Sequence, residues 1–454
     1  MTDPAHRAAR LAAALLIPAS IAAAVAAQGG ASAPGKAYET VSLFGRPLAA
    51  LPAPATALQQ LDQARRNFDA APTEDHYIWL GRRTAYAGRY RDAIAIYTDG
   101  LARFPGSYRL HRHRGHRYIS DRQFTRAIAD FEKAAELVRG RPLEVEPDGA
   151  PNKAGIPVSN TQFNIYYHLG LAHYLARDFA AAEAAYRECL KWSKNDDSVV
   201  AVTDWLYMTL RRTGRNADAS RLLEPLTPGM PLVENGAYLD RLLMFKGAIP
   251  EADFARSKPG ETPPETAIRD YGLGMAALWR GDLARARELF ARQAGSPAWS
   301  SFATIAAEVE LAGLLRDAPD RSSLRSVLEA WVLAWNLYDL DLAMSLFARD
   351  PAPTYYSSER PGRIEGTDAL AAHHRGFGFV PGGKPADARL WLGDLQLREE
   401  GPVAYGTAAW YFDRDVASAA APQRGPLTFV LRRADDGWRI SHAHFATDPA
   451  AAGR

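Results

Sequence analysis

The chain has one cysteine, Cys189, in 454 residues. That excludes an internal disulfide framework and a multi-cysteine zinc site. It also fits an oxidising compartment, where spare thiols are a liability. An excess of charge of one sign is missing too: 54 Lys and Arg stand against 52 Asp and Glu. A net charge of +2 gives no basic footprint for nucleic acid. Beyond residue 33 no stretch is long and apolar enough to cross a bilayer. There is no phosphate-binding P-loop and no His-Glu-x-x-His motif. What remains is a globular composition, 47% hydrophobic and 23% charged, with length for two or three domains.

The start reads as an address. Arg7 and Arg10 precede the charge-free run Leu11–Ala27, and Ala31-Ser32-Ala33 is an A-x-A cleavage candidate, with cleavage after Ala26 or Ala27, or a retained membrane anchor, as the alternatives. This is the layout of a secretory signal peptide over 1–33, of bacterial type, so a periplasmic or secreted protein is expected. Residues 34–73 then read as a Pro- and Ala-rich lead-in, with one helix near Ala57–Phe68.

From residue 74 a pattern recurs with a period of about 34 residues. Gly81, Tyr90, Ala93 and Tyr97 map onto Gly115, Phe124, Ala127 and Phe131. After an insertion they map onto Gly170, Phe179, Ala182 and Tyr186. Looser copies carry Leu206, Gly214, Ala219 and Leu223, then Gly274, Gly281, Ala286 and Phe290. Each copy predicts two short amphipathic helices, A and B, turning at Gly88, Asp121, Asp178, Gly214 or Gly281. The small residues let the helices approach closely, while Tyr97 and Phe131 are expected to fill the space between successive pairs. One pair cannot bury its own apolar face, so the pairs must stack.

The pattern over 74–317 resembles the tetratricopeptide repeat (TPR) family. That resemblance implies an all-α superhelix whose concave groove binds a protein or peptide. The helix A spacing would present Asp75, Ile78 and Arg82, then Arg109, Arg112 and His116, then Asn164, Tyr167, Leu171 and Tyr174. Such a groove, basic at one end and aromatic at the other, suits an acidic or aromatic extended segment; the same arginines could also be no more than a solvated face. The carboxylate clamp of some such proteins needs Asn and Lys where Ile78 and Arg82 stand, so that role is not expected. In the run His111–His116 only His113 and His116 share a helical face, and the intervening arginines repel a cation, so no metal site is expected. Gly272-Leu273-Gly274 imitates a dinucleotide fingerprint but follows no strand, and reads as packing glycine.

The last part changes character. Ser323 caps a helix with Leu324, Val327, Leu328, Trp331, Val332 and Trp335 at helical spacing. Asp339 caps a second helix, Leu340–Ala348; Thr354–Ser357 reads as a strand and Gly366–Gly376 as a third helix. Alternation then predicts strands at Arg389–Leu397, Val403–Asp413, Leu427–Arg433 and Trp438–Phe445, the last two joined at Asp436-Gly437. The stretches Trp335–Pro351, Ile364–Leu370 and Gly425–Phe445 resemble the NTF2-like superfamily, in particular its SnoaL-like branch, over residues 322–446, leaving 447–454 as a tail. This implies an α+β cone, a long helix wrapped by a curved antiparallel sheet, often dimerising through the sheet's outer face. Members include isomerases, cyclases, dehydratases, association domains and proteins without known chemistry.

Trp438, Ile440, His442 and His444 alternate and so are expected on one sheet face, with Thr428, Val430 and Arg432 beside them. If those faces line the cone, His442, His444 and Arg432 are its polar groups. Trp335, Tyr355, Tyr356, Trp391 and Trp410 are then its walls. His373 joins them if Leu370 and Phe377 face the sheet. A neutral histidine could serve as a base and Arg432 could hold a carboxylate. The same histidines would equally serve hydrogen bonding across the sheet or a dimer interface. The acids Asp350, Asp394 and Asp413 are not aimed at a pocket by any pattern.

Two readings follow. The favoured one is an exported adaptor, binding a partner through the repeats and dimerising through the C-terminal domain. The other is a small-molecule-binding protein or isomerase- or cyclase-type enzyme, taking a small apolar or carboxylate ligand in the cone. Neither calls for a cofactor, and no membrane span is expected after signal cleavage.

Overall fold

The first recurring contact is between a glycine and an aromatic ring. A Cβ at Gly81, Gly115, Gly170 or Gly274 would run into the ring of Tyr97, Phe131, Tyr186 or Phe290. Each ring packs on the glycine of its own pair, and Tyr97 and Phe131 also reach the next pair as expected, stacking on His113 and His168 at 5.9 and 5.7 Å. The computed structural model describes residues 36–50, 52–147, 152, 154–380, 388–416, 418 and 420–448. The expected signal peptide, 1–33, and the tail from 449 lie outside the described residues.

A two-residue hairpin, β1 (Thr40–Val41) and β2 (Pro47–Leu48), precedes α1 (Ala55–Ala70). The repeat pairs are α2 (Glu74–Tyr86) with α3 (Tyr90–Arg103), and α4 (Tyr108–Ser120) with α5 (Phe124–Val138). Then come α6 (Thr161–Leu175) with α7 (Phe179–Trp192), and α8 (Asp196–Arg212) with α9 (Asn216–Leu223). A degenerate unit follows, α10 (Gly236–Lys246) and α11 (Glu251–Phe254). The last pair is α12 (Pro263–Trp279) and α13 (Leu283–Ala294), closed by α14 (Phe302–Asp317). Side-chain caps from Thr73, Ser107, Asn160 and Ser301 start α2, α4, α6 and α14.

The turns inside the pairs sit one residue away from two of the expected positions. The left-handed residue is Gly88, Gly214 or Gly281 in three pairs, but Arg122 (φ 58°) and Arg177 (φ 63°) in the other two. A non-glycine residue there costs about 1 kcal/mol or more. Gly272 and Gly274 do act as packing glycines: the first lies on the Arg241 side chain, the second on Phe290. Arg241 and Asp204, both fully buried, are ion-paired, and this pair ties α10 to α8.

The C-terminal domain is α+β. It holds α15 (Leu324–Leu337), α16 (Leu340–Ser345), β3 (Thr354–Ser357), β4 (Arg360–Glu365) and α17 (Thr367–Gly376). The strands β5 (Arg389–Glu400), β6 (Val403–Asp413), β7 (Gln423–Ala434) and β8 (Gly437–Phe445) complete it. The sheet order is β4-β3-β8-β7-β6-β5. It is mixed rather than wholly antiparallel, because β3 runs parallel to β8. The strand β4 was not expected: Pro361 and Gly362 break any alternation, which suits its place at the sheet edge. The spaced residues of α15 are all buried, with Trp331 wholly inaccessible.

Residues 36–50 are more than a lead-in. They form a strap whose polar groups bond to both halves of the chain. Lys36 pairs with Asp413 at 2.6 Å, and Tyr38 donates to the same carboxylate at 2.7 Å. Asn336 of α15 donates to the carbonyls of Leu43 and Leu390, 3.0 Å each, and accepts from the Leu390 amide. On the repeat side Arg46 donates to the Gly295 carbonyl, and the Leu43 amide donates to Glu308. Glu308 in turn pairs with Arg122 at 3.0 Å. From Lys36 onward the chain forms one compact unit.

Candidate functional site

The expected peptide groove is occupied by the chain itself. Arg82, Arg112, Asn164, Tyr167 and Tyr174 are each less than a tenth exposed, as are Ile78 and Leu171. Two elements cover them. At the basic end lies the extended segment 142–147, from the insertion between the second and third pairs. Glu146 pairs with Arg112 at 3.0 Å, Glu144 with Arg109 at 3.5 Å, and Arg82 donates to the Pro147 carbonyl at 2.8 Å. Tyr108 also donates to Glu144, at 2.6 Å. Backbone bonds hold the segment to the start of α6: Thr161 N–H to the Glu144 carbonyl, and Glu146 N–H to the Ser159 carbonyl.

At the aromatic end α14 closes the superhelix. Phe302 packs 5.1 Å from the His116 ring and 5.5 Å from that of His168. Tyr174 Oη lies 2.8 Å from Tyr271 Oη and donates to Glu310 at 3.2 Å. Glu310, itself 2% exposed, also pairs with Arg212 at 2.9 Å. Asn164 donates to Ser159. Of the groove set Arg109 keeps 24% of its side chain accessible and pairs with the exposed Asp75, and His116 is half-buried. The expectation of an open groove is therefore corrected: a superhelix this tight brings its inner helices onto one another.

The histidine run gives no metal geometry. Arg112 Nη1 stands 3.1 Å from His113 Nδ1 and 3.5 Å from His116 Nδ1, while His111 bonds Asp130. Burial lowers the His113, His116 and His168 pKa values well below the usual range, with Arg112 and Arg117 adding to the effect. Among the described residues no cluster of His, Cys, Asp or Glu could hold a metal.

The cone divides the second set of expected residues. Trp335, Tyr355, His373 and Trp410 do converge, with Phe377, Phe412 and Phe445, around a cavity of about 40 Å³. That volume suits a water molecule or two rather than a substrate. His373 Nε2, His374 Nε2 and Trp335 Nε1 are buried there without a hydrogen-bond partner. Burial pushes the His374 pKa down to about 4, so its ring is neutral near pH 7.

His442, His444, Arg432, Tyr356 and Trp391 lie elsewhere. A bulge at Ser441 shifts the register, so that Val430 faces His442 but Leu431 faces Ile440. One extra residue flips every later side chain. Trp438 and Ile440 are buried, whereas His442 is half-buried and His444 exposed on the outer face. There His442 bonds Thr354 Oγ1 at 2.8 Å, and Tyr356 packs 5.2 Å from the His444 ring. Arg432 is exposed, and Trp391 stacks on Tyr411 under Tyr38 of the strap.

Reasoning from sequence missed Glu144, Glu146, Glu308 and Glu310. The signal for the first two was present: an acidic Glu-x-Glu segment inserted beside three groove arginines.

With this geometry in place, comparison with known proteins adds one specific match. Residues 163–196 match the Tetratricopeptide repeat family model. The TPR match spans α6 and α7, the third pair. No curated protein matches the chain. Similar solved structures include an NTF2-like protein with a cystatin-like fold from Novosphingobium aromaticivorans, at 24% identity. It covers 31% of this chain and 91% of its own, with a TM-score of 0.24. An NTF2-like protein of unknown function from Pseudomonas putida is 18% identical over 28% of this chain and 87% of its own, TM-score 0.25. A protein with a cystatin-like fold from Caulobacter vibrioides is 17% identical over 28% and 89%, TM-score 0.24. No helix of the described residues is long and apolar enough to cross a membrane.

Proposed function

We propose that this protein is an exported interaction scaffold. Its TPR region recognises an extended acidic segment of a protein partner, and its C-terminal domain pairs two copies. The observation that carries the reading is the occupant of the basic end of the superhelix. Arg82, Arg109 and Arg112 hold a carboxylate-bearing extended segment, and they hold it through carboxylates and one carbonyl. A partner with the same chemistry would compete with residues 142–147 for these groups. Two grooves in one dimer would then bind with avidity beyond that of either alone. The outer sheet face supports the pairing: Tyr405 and Tyr356 are more than a third exposed there, beside Val430 and Thr428. Export rests on the signal-like start.

The test is binding of a labelled peptide, Pro142–Pro147 supplied in trans, to the purified chain with its own glutamates replaced. Salt-sensitive binding supports the reading, and its absence opposes it. The cone reading, a substrate pocket with His442 and His444 as its polar groups, has no support in the cavity of about 40 Å³.

A further inference from the structure

The two arginines in left-handed turns open onto one cavity. It measures about 310 Å³ and lies where the turns of the second and third repeat pairs meet α14, the end of α15 and the start of β5. Arg122 and Arg177 line it, and Arg316 and Arg389 complete a set of four. Asp339 is the one carboxylate in the lining, and it is already the cap of α16, accepting from Leu342 N–H at 2.9 Å.

The four arginines divide into a floor and a rim. Arg122 is wholly buried, with Glu308 and the carbonyls of Ser120 and Trp299 as partners. Its Nε has no hydrogen-bond partner. Arg389 donates to the Arg122 carbonyl and is equally buried. At the rim, Arg177 keeps 26% and Arg316 44% of the side chain accessible, Arg316 resting on its exposed neighbour Asp317 at 3.2 Å. The acid nearest Arg177, Glu310, stands 3.6 Å away and is shared with Arg212, which is closer at 2.9 Å. The Arg177 guanidinium rests on Gly313, where a Cβ would meet Nη1 at 2.5 Å. Phe124, Leu175, Val309 and Leu337 provide apolar wall between the charges.

The backbone points the same way. In the other three pairs the left-handed position is glycine, at Gly88, Gly214 and Gly281. The two pairs that break this rule are the two whose turns face the cavity. A third left-handed non-glycine residue, Tyr338 (φ 54°), lies between the lining residues Leu337 and Asp339. Strained positions retained together around one cavity point to function.

We infer that this junction cavity binds a small organic anion, a carboxylate with a short apolar body. Arg177 and Arg316 receive the carboxylate, the buried guanidinium groups of Arg122 and Arg389, held by their own partners, form a rigid floor, and the apolar walls take the hydrocarbon. Because the cavity is built from the repeats, the strap and the C-terminal domain together, its occupancy stiffens their junction. The inference is independent of the peptide reading, since it uses none of Arg82, Arg109 or Arg112.

The test is calorimetry and thermal melting of the full chain with adipate, hexanoate, hexylammonium and inorganic phosphate. Adipate and hexanoate are expected to bind and raise the melting temperature, and hexylammonium is not. Arg177→Gly is the decisive variant. It removes a guanidinium from the rim yet supplies the residue the turn geometry prefers. It is expected to melt no lower than the parent while losing at least tenfold in adipate affinity, and Arg316→Ala is expected to lose affinity similarly. The inference is overturned if neither carboxylate binds, if Arg177→Gly binds adipate as the parent does, or if phosphate binds as tightly as hexanoate.

Discussion

Arg112 and Glu146 meet at 3.0 Å with both side chains less than a tenth exposed, one from a repeat helix and one from the insertion that lies across it. Burial lowers the Arg112 pKa, with Glu146 opposing the effect. Removing one member of a buried pair leaves the other charge uncompensated, which costs about 3–5 kcal/mol. Glu146→Ala is therefore expected to destabilise the chain by that order in chemical denaturation. A loss below about 1 kcal/mol would mean that water already reaches the pair.

The glycine–aromatic contacts inside the repeat pairs predict a second, opposite-looking result. Alanine is favoured over glycine in a helix by about 1 kcal/mol. Yet a Cβ at Gly170 would stand 2.5 Å from the Tyr186 ring, which is fully buried and cannot swing away. Overpacking of this kind costs about 1–3 kcal/mol. Gly170→Ala should lower stability in denaturant, whereas Gly229→Ala, with open space around it, should not.

The pH dependence has two parts of opposite sign. His113, His116 and His168 are held neutral by burial, so below about pH 6.5 the unfolded chain binds protons that the folded chain does not. Stability from these groups is present above that pH and falls as the pH drops. Asp121 acts in reverse. Burial, against the pull of Thr40, Arg389 and Arg122, raises its pKa to about 7. Its folded form therefore holds a proton that the unfolded form gives up above about pH 4, and stability is lost as pH rises through 7. Acid melting should be steep because three histidines oppose one carboxylate. Asp121→Asn should be more stable than the parent at pH 8, with the gap narrowing toward pH 5. An equal gap at both pH values would contradict the assignment.

On the outer sheet face Tyr405 is 39% exposed and sits across from Val430. If this face pairs two copies, Tyr405→Asp should convert a dimer to a monomer by light scattering, with the circular dichroism spectrum unchanged. A parent that is already monomeric at micromolar concentration would remove the dimer from the account.

Much of the repeat region was legible because its signal is local and repeated. The glycine and aromatic phase placed α2 to α7, and carrying the Gly88 phase forward lands on Arg122 and Arg177. The strands β5 to β8 were legible through alternation. Which face of β8 turns inward was not, because a single extra residue, Ser441, reverses the face of His442 and His444. The strap at 36–50 has too few residues for any periodicity, and its meaning lies wholly in distant partners such as Asp413 and Asn336. The filled groove was hidden for the same reason. Spacing says which face of a helix a residue occupies, but whether that face meets solvent depends on how tightly the superhelix winds.

The most direct measurement is fluorescence anisotropy of the labelled peptide Pro142–Pro147 against the parent and the Glu144→Gln, Glu146→Gln variant. Circular dichroism would confirm that the variant is folded. The account predicts weak or no binding to the parent, whose groove is occupied, and binding to the variant that weakens with salt and is lost on adding Arg82→Ala. A folded variant that ignores the peptide would contradict it, and would leave the segment as packing alone.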